Sequence, residues 1–246
     1  EALGFKVESG DSNVGSEMIV SRPTEHTPNI MNEELGKMTI SWREFDNLTE
    51  EASFVAESVF RDISVEGLRP DDICIICLDS KCIGSYYECI SSFLAAKGIR
   101  TFNLLDAPNA NKNFFYPDYV TLATINKAKG NEAGMVYIIG VDSIFTSPNN
   151  VLKRNMLFTA MTRTKGWVML SGVGDKMKVC AKEIKALRDN DMKFKFIQPS
   201  KETTKTIESS SRREAGLVDK IHSLLKEFKE MGYDQGMIAD LLKIDK

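Results

Sequence analysis

Short apolar runs alternate with stretches of helical length between residues 72 and 188. The apolar runs predict strands over residues 72–78, 100–104, 119–123, 135–139 and 167–171. Residues 83–97, 151–162 and 176–188 have the amphipathic spacing of helices. Strands separated by helices of this length are typical of βαβ units. The sequence therefore predicts an α/β fold with a mainly parallel sheet flanked by helices.

Further elements are predicted on both sides of this pattern. Residues 17–21 and 39–42 read as short strands, and residues 193–197 read as an edge strand. Asn47 and Glu50 form a capping-box pattern ahead of apolar residues at helical spacing, which predicts the start of a helix. We divide this part of the chain into a leading segment with short strands, residues 1–46, and a main domain, residues 47–198.

The rest of the chain predicts a linker and a helical C-terminal extension. Residues 199–213 are dense in Lys, Thr, Ser and Glu, which is typical of a linker. Residues 214–246 contain an apolar stripe at helical spacing, formed by Leu217, Ile221, Leu224, Leu225, Phe228 and Met231. We expect a helical tail here, with a surface that can bind a protein partner.

The composition excludes few classes of protein. A chain of 246 residues can bury a sizeable core. A formal net charge of -3 neither favours nor excludes nucleic acid, because phosphate binding depends on the local field. No apolar run approaches the roughly 20 residues that span a bilayer, so we expect no membrane partner. The sequence around Glu1 resembles the middle of a domain, so we expect a fragment of a longer polypeptide.

The cysteines favour free thiols over a metal site. Cys74 and Cys77 have the spacing of a zinc ligand pair, but they lie in an alternating apolar strand. No second CxxC or His pair accompanies them in the sequence. We therefore expect no metal site and predict buried free thiols in a reducing compartment, the cytoplasm.

Two polar segments interrupt the alternation of strands and helices. Residues 124–132 read Thr-Ile-Asn-Lys-Ala-Lys-Gly-Asn-Glu, and residues 154–163 read Arg-Asn-Met-Leu-Phe-Thr-Ala-Met-Thr-Arg. Together they resemble motifs V and VI of superfamily 1 helicases of the UvrD/Rep type, whose patterns read TxHxxKGLE and R(L/N)LYVAxTRA. The resemblance extends over residues 50–172, about half of the chain.

This resemblance implies the fold and partners of a motor domain. In the family, two RecA-like domains bind ATP in the cleft between them, and the first domain carries the P-loop and the Mg²⁺-binding carboxylates. The fragment Gly36-Lys37 lacks the other residues of a P-loop, because Met31 and Met38 occupy the required positions. We therefore expect the second, C-terminal motor domain, with ATP and Mg²⁺ bound mainly by the N-terminal motor domain of the same protein.

The resemblance also assigns three residues to the nucleotide. Arg163 matches the arginine finger, a guanidinium that stabilises charge on the γ-phosphate during phosphoryl transfer. The alternative is a surface arginine that caps the C-terminus of a helix. Glu132 matches a carboxylate near the nucleotide, and Gly130 allows the backbone to approach closely. Their alternative is a Glu at a helix start after a turn Gly.

Thr124, Asn126 and Lys127 match the part of motif V that contacts the backbone of single-stranded DNA, where short polar donors suit phosphate oxygens. Asn126 replaces the usual His, so that contact cannot carry charge. Lys129 could serve either the phosphates or the DNA. The arginine that motif IV usually supplies is missing, so either Lys81 substitutes for it or the contact is lost.

Two tryptophans offer aromatic surfaces that bases could stack on. For Trp167, at the start of an apolar strand, core packing is the better prediction. Trp42 belongs to the short strand predicted over residues 39–42.

The sequence thus predicts the second motor domain of an ATP-dependent DNA helicase or translocase, moving 3′ to 5′ on single-stranded or partly duplex DNA. Alone it should not hydrolyse ATP. The main alternative is a non-catalytic interaction or regulatory module with a helicase-like fold. A dinucleotide-binding enzyme is less favoured, because Gly172 and Gly174 lack the third glycine of that fingerprint.

Overall fold

The strands predicted between residues 72 and 171 pair in a single parallel sheet. The computed structural model describes residues 4–23, 39–106, 113–146, 151–191, 193–204, 220, 224, 225 and 228. Its strands are β1 (Lys6–Ser9), β2 (Glu17–Ser21), β3 (Ile40–Phe45), β4 (Ile73–Cys77), β5 (Arg100–Asn103), β6 (Tyr119–Thr124), β7 (Ala133–Ile139), β8 (Thr164–Val173) and β9 (Phe194–Ile197). Its α-helices are α1 (Leu48–Ser64), α2 (Ile83–Ala96), α3 (Ile125–Ala128), α4 (Val151–Met161) and α5 (Asp175–Asp189).

Six strands form the central sheet in the order β3-β8-β7-β4-β6-β5, and every pairing is parallel. The α/β fold predicted from the alternation is confirmed. The predicted domain boundary between residues 46 and 47 does not agree with the sheet. The strand β3 pairs with β8 along its whole length, so β3 belongs to the main domain, which therefore begins before residue 47. A six-residue strand is too short for its sequence alone to show which sheet it joins.

Apolar side chains on both faces of the sheet explain why its strands read as continuous hydrophobic runs. On β4, Ile73, Ile75 and Cys77 pack on the face covered by α1 and α2, whereas Cys74 and Ile76 pack on the face covered by α4 and α5. All five cysteines are free thiols, and Cys74, Cys77 and Cys180 are buried as predicted, whereas Cys82 and Cys89 are only half-buried. Within the described part of the chain, no group of three His, Cys, Asp or Glu side chains could hold a metal ion.

The first helix begins where the capping pattern predicted. The Asn47 side-chain oxygen accepts a hydrogen bond from the backbone N–H of Glu50 at 3.0 Å, and its amide donates to the Glu50 carboxylate at 2.8 Å. Such a cap satisfies N–H groups that have no partner inside the helix. The sequence alone therefore predicted the residue at which α1 begins.

A second, antiparallel sheet joins residues from both sides of the central domain. Its strand order is β1-β2-β9, and Val20 of β2 lies opposite Phe194 of β9. The predicted strands 17–21 and 193–197 are confirmed, but β9 pairs with β2 and not with the central sheet.

Residues 1–198 form one compact unit, and residues 199–246 form another. In the second unit, residues 201–204 are helical. Most of the predicted linker (199–213) and helical tail (214–246) lies outside the described residues. No helix in the described part of the chain is both long and apolar enough to cross a membrane.

A buried carboxylate connects both covering helices on one face to the sheet. Glu51, in the first turn of α1, is fully buried. Its oxygens accept hydrogen bonds from the hydroxyl of Tyr86 on α2 at 2.6 Å, the hydroxyl of Ser171 on β8 at 2.6 Å and the N–H of Gly140 after β7 at 3.1 Å. Burial raises the pKa of Glu51 above its ordinary value of 4.5, and these hydrogen bonds limit the rise. One side chain thus holds four segments together.

We predict that Glu51→Ala lowers the free energy of unfolding by about 2–4 kcal/mol, because each buried donor left without an acceptor costs about 1–3 kcal/mol and the losses are not additive. A raised pKa in the folded state gives a stabilisation that is complete below pH 4.5 and declines as the pH rises through the folded pKa. Urea unfolding of both proteins between pH 4 and 7 measures the difference. Tyr86→Phe, which removes one of the three donors, is the matched control, and a wild-type advantage that does not change with pH would contradict this account.

Candidate functional site

The segment 124–132 crosses from one end of the sheet to the other. Thr124 is the last residue of β6, and Ala133 is the first residue of β7. Since both strands pair in parallel with β4, these two residues lie at opposite ends of the sheet. The short helix α3 forms the first part of the crossing, and residues 129–132 complete it. Ile125 and Ala128 of α3 are buried in the core. The segment therefore presents different residues at each end of the strands.

At the carboxyl end of the strands, two of the three predicted DNA-binding residues have partners within the fold. The hydroxyl of Thr124 caps α3 by accepting a hydrogen bond from the N–H of Lys127 at 3.3 Å. The ammonium group of Lys127 donates to the carbonyl of Leu104, just beyond β5. Asn126, by contrast, is exposed. Of the three predicted DNA-binding residues, Asn126 is therefore the one whose side chain is exposed to solvent.

At the amino end, the two motif-like segments meet directly. The N–H of Ala133 donates to the carbonyl of Arg163 at 2.9 Å, and Ala133 lies opposite Thr164 in the sheet. Gly130, at the turn before β7, has a φ of +84°, a backbone conformation that favours glycine. Glu132 is exposed two residues later. All three predicted nucleotide-binding residues, Gly130, Glu132 and Arg163, therefore lie at this end.

Arg163 occupies the two-residue junction between α4 and β8. Its backbone N–H donates to the carbonyl of Ala160 at 3.0 Å. Its Nε donates to the carbonyl of Thr159 at 3.1 Å, and Nη2 donates to the hydroxyl of Thr162 at 3.2 Å. The guanidinium group therefore lies on the last turn of α4, which is the helix-capping geometry of the alternative interpretation. In the described part of the chain, Nη1 has no hydrogen-bond partner.

A hollow of about 610 Å³ lies next to this junction. Its lining consists of Thr39, Ile40, Glu132, Phe158, Met161, Thr162, Thr164, Lys165, Gly166 and Val168. Phe158 on α4 is 67% exposed, an unusual fraction for a phenylalanine. Glu132 and Lys165 add one negative and one positive charge. The hollow thus combines apolar surface with polar groups from both motif-like segments.

The other arginine of the second segment has a structural role. Arg154 forms an ion pair with Glu183 of α5, with nitrogen–oxygen distances of 2.8 and 2.9 Å. Its guanidinium group also lies 5.4 Å from the ring centroid of Phe145. These contacts join α4 to α5 and to the turn after β7. Only Arg163, at the far end of the same segment, faces the junction with the first segment.

The pairing of these two segments agrees with a family match. Residues 119–171 match the model of the UvrD-like helicase C-terminal domain. This region of the chain is therefore similar to the UvrD-like helicase C-terminal domain. The matched region covers about a fifth of the chain, begins with β6 and ends within β8, and so includes both segments. No curated protein matches the chain.

Several solved structures have a similar chain path at low identity. The C-terminal domain of a possible DNA helicase from Lactobacillus plantarum has 17% identity and a TM-score of 0.41, with 56% of this chain and 75% of that chain covered. Arterivirus nonstructural protein 10, a helicase, has 14% identity and a TM-score of 0.34 in its complex with DNA, with 68% of this chain and 39% of that chain covered. A second structure of that helicase has 15% identity and a TM-score of 0.33, with 69% and 40% covered. This chain thus spans about two fifths of the viral helicase chains.

Two further positions considered in the sequence differ from expectation. Lys81 follows β4 and therefore lies at the carboxyl end of the strands, opposite to Arg163, so the two cannot join at one site within this domain. Trp167 is 39% exposed beside Arg61 and Leu68, so the prediction of core packing was wrong. The reason is an irregular start of β8, where the alternation of side chains is interrupted. Trp42 packs partly against the core, with Arg188 4.6 Å from its ring centroid.

The sequence did not single out Phe158, Thr164 or Lys165 as parts of this site. Phe158 reads as one more apolar residue of a helix, and only the packing of α4 shows that it faces outward. Thr164 and Lys165 directly follow Arg163, which is the signal that could have identified them.

We predict that Gly130→Ala lowers the free energy of unfolding by about 1–2 kcal/mol, because an L-residue is strained at a positive φ. A Cβ at this position would meet no atom within 4 Å, so the cost is purely conformational. Thermal unfolding measures the shift. Gly84→Ala is the matched control, since Gly84 is helical with equal space and alanine favours helix there. Equal effects of the two substitutions would refute the assignment of strain to Gly130.

Proposed function

We propose that this UvrD-like domain acts as the second motor domain of an ATP-dependent DNA helicase or translocase, with Arg163 as the arginine finger. The observation that carries the proposal is the 2.9 Å hydrogen bond between Ala133 and Arg163, which brings Gly130, Glu132 and Arg163 to one end of the sheet. A nucleotide bound by a neighbouring domain at this end would contact the carboxylate of Glu132 and the guanidinium group of Arg163. The backbone at Gly130 could approach it closely, because glycine has no side chain.

Arg163 can exchange its present partners for a phosphate. Each of its hydrogen bonds to Thr159 and Thr162 has a neutral acceptor, and such bonds contribute a net of about 1 kcal/mol. A charge-assisted bond to a phosphate oxygen is roughly twice as strong. The guanidinium group would thus turn from the helix end toward the γ-phosphate once the nucleotide arrives. There it would stabilise the charge that develops during phosphoryl transfer.

The phosphate cradle and the Mg²⁺ ion belong, in this proposal, to the N-terminal motor domain. The sequence contains no GxxxxGK[ST] segment to surround the phosphates. The described residues also offer no cluster of three metal-binding side chains. This domain would therefore contribute only Arg163, Glu132 and the Gly130 turn, and it would close the cleft over ATP.

The connection between ATP and DNA would run through the segment 124–132. Its first residues lie at the carboxyl end of the strands, where Asn126 would contact a DNA phosphate, and its last residues lie at the nucleotide end. The buried residues Ile125 and Ala128 fix α3 to the core, so the segment cannot slide freely. Movement of the domain on ATP binding would therefore move Asn126 along the strand.

We expect Arg163→Ala, in the full-length protein, to lower DNA-stimulated ATP turnover by about 10³-fold or more, because arginine fingers contribute about 10³ to 10⁵ in rate. Nucleotide affinity should change little. Steady-state ATPase assays with a single-stranded oligonucleotide and equilibrium binding of a nucleotide analogue measure both quantities.

The matched control for Arg163 is Arg100→Ala, which removes a surface arginine of β5 that pairs with Asp118. Its turnover should equal that of the wild-type protein. Wild-type turnover in Arg163→Ala would refute the finger and favour the non-catalytic interaction module.

A second prediction concerns DNA. Asn126→Ala should weaken the binding of a single-stranded oligonucleotide to the full-length protein by about 3- to 10-fold, since one hydrogen bond to a phosphate contributes about 1 kcal/mol. Fluorescence anisotropy at a fixed salt concentration measures the affinity. Asn131→Ala is the control, because Asn131 is the same residue type in the same segment but lies near the nucleotide end. The assignment fails if both variants bind DNA equally well.

A further inference from the structure

The start of β8 contains a bulge directly after Arg163. Ala133 lies opposite Thr164, but Met135 lies opposite Trp167. Two residues of β8, Lys165 and Gly166, therefore face the single residue Gly134 of β7. Bulges are uncommon between parallel strands, and they frequently redirect side chains next to active sites.

The hydroxyl group of Thr164 closes this bulge. It accepts a hydrogen bond from the N–H of Gly166 at 3.2 Å and donates one to the carbonyl of Trp167 at 2.7 Å. Gly166 lies in the interrupted part of the ladder, and the Thr164 hydroxyl also lies 3.4 Å from the carbonyl oxygen of Gly134 on β7. One side chain thus contacts both strands at the bulge. An isosteric valine would lose both bonds at once.

Close approach of the two strands reinforces the bulge. A Cβ at Gly166 would lie only 3.1 Å from the carbonyl oxygen of Gly134. This contact is tighter than ordinary van der Waals contact, so a side chain at this position would require the two strands to shift by a few tenths of an ångström. The strand therefore begins in a defined geometry, fixed by Thr164 on one side and Gly166 on the other.

We propose that Thr164 is a positioning residue that sets the direction of Arg163. The backbone of Arg163 is held by Ala160 on its helix side and by Ala133 on its strand side, with the bulge immediately after it. Loss of the Thr164 hydroxyl would let the bulge relax and change the angle at which Arg163 leaves the junction. This inference rests on the proposed role of Arg163 and adds the side chain that orients it.

The test is Thr164→Val and Thr164→Ser in the full-length protein, with DNA-stimulated ATPase as the readout. Thr164→Val should lower kcat by about 10- to 100-fold, because a misplacement of about 1 Å can cost 10²-fold. The KM for ATP should change by less than about threefold, since the interaction is made only in the transition state. Thr164→Ser keeps the hydroxyl and should retain kcat within about threefold of the wild-type value.

Thr101→Val is the matched control, because Thr101 on β5 also uses its hydroxyl within the fold, toward Ser91 at 2.9 Å. An equal drop in kcat in this variant, or a change in KM alone in Thr164→Val, would overturn the positioning role. If Thr164→Val shows no folded transition, Gly166→Ala replaces it, and wild-type kcat there would overturn the proposal.

Arg163→Ala, measured in parallel, distinguishes a failure of the arginine-finger role of Arg163 from a failure of the positioning role of Thr164. Normal turnover in Arg163→Ala removes the finger and the positioning role together. Lost turnover in Arg163→Ala with normal kcat in Thr164→Val removes only the positioning role.

Discussion

The buried carboxylate of Glu51 is the interaction on which the layered arrangement depends. It joins α1, α2, the end of β7 and β8, and all three of its hydrogen bonds lie toward the carboxyl end of the strands. A group of this kind is stable in the core only because donors surround it. It fixes the covering helices at one end of the sheet. At the amino end of the sheet, where α4 turns into β8, the backbone hydrogen bond between Ala133 and Arg163 is accompanied by side-chain hydrogen bonds of Arg163 and Thr164.

This asymmetry between the two ends organises the candidate site. The amino end brings together Gly130, Glu132 and Arg163 without burying their side chains, whereas the carboxyl end presents Asn126. One short segment, residues 124–132, reaches both ends, because α3 and residues 129–132 together connect the end of β6 to the start of β7.

Local patterns in the sequence predicted most of the central domain. The parallel sheet followed from the alternation of strands and helices, and the start of α1 followed from the pattern at Asn47 and Glu50. The membership of β3 and the pairing of β9 with β2 could not be predicted, because both depend on partners more than 100 residues away along the chain. Trp167 was misjudged because its exposure depends on a bulge, which no local pattern of apolar residues reveals.

The motifs predicted which residues share an end of the sheet but not how their side chains are held. Nothing in the sequence indicated that Lys127 would donate to Leu104 or that Arg163 would lie on its own helix. Such contacts depend on tertiary packing.

The small sheet β1-β2-β9 has a consequence for the topology of the chain. Because β2 precedes the central domain and β9 follows it, their pairing closes residues 22–193 into a loop. Four residue pairs, from Glu17 opposite Ile197 to Val20 opposite Phe194, hold the two ends of this loop together. Tension applied to the chain segments before β2 and after β9 would first break the hydrogen bonds between these two strands. The central sheet inside the loop would bear the tension only afterwards. The central domain is thereby shielded from tension along the chain.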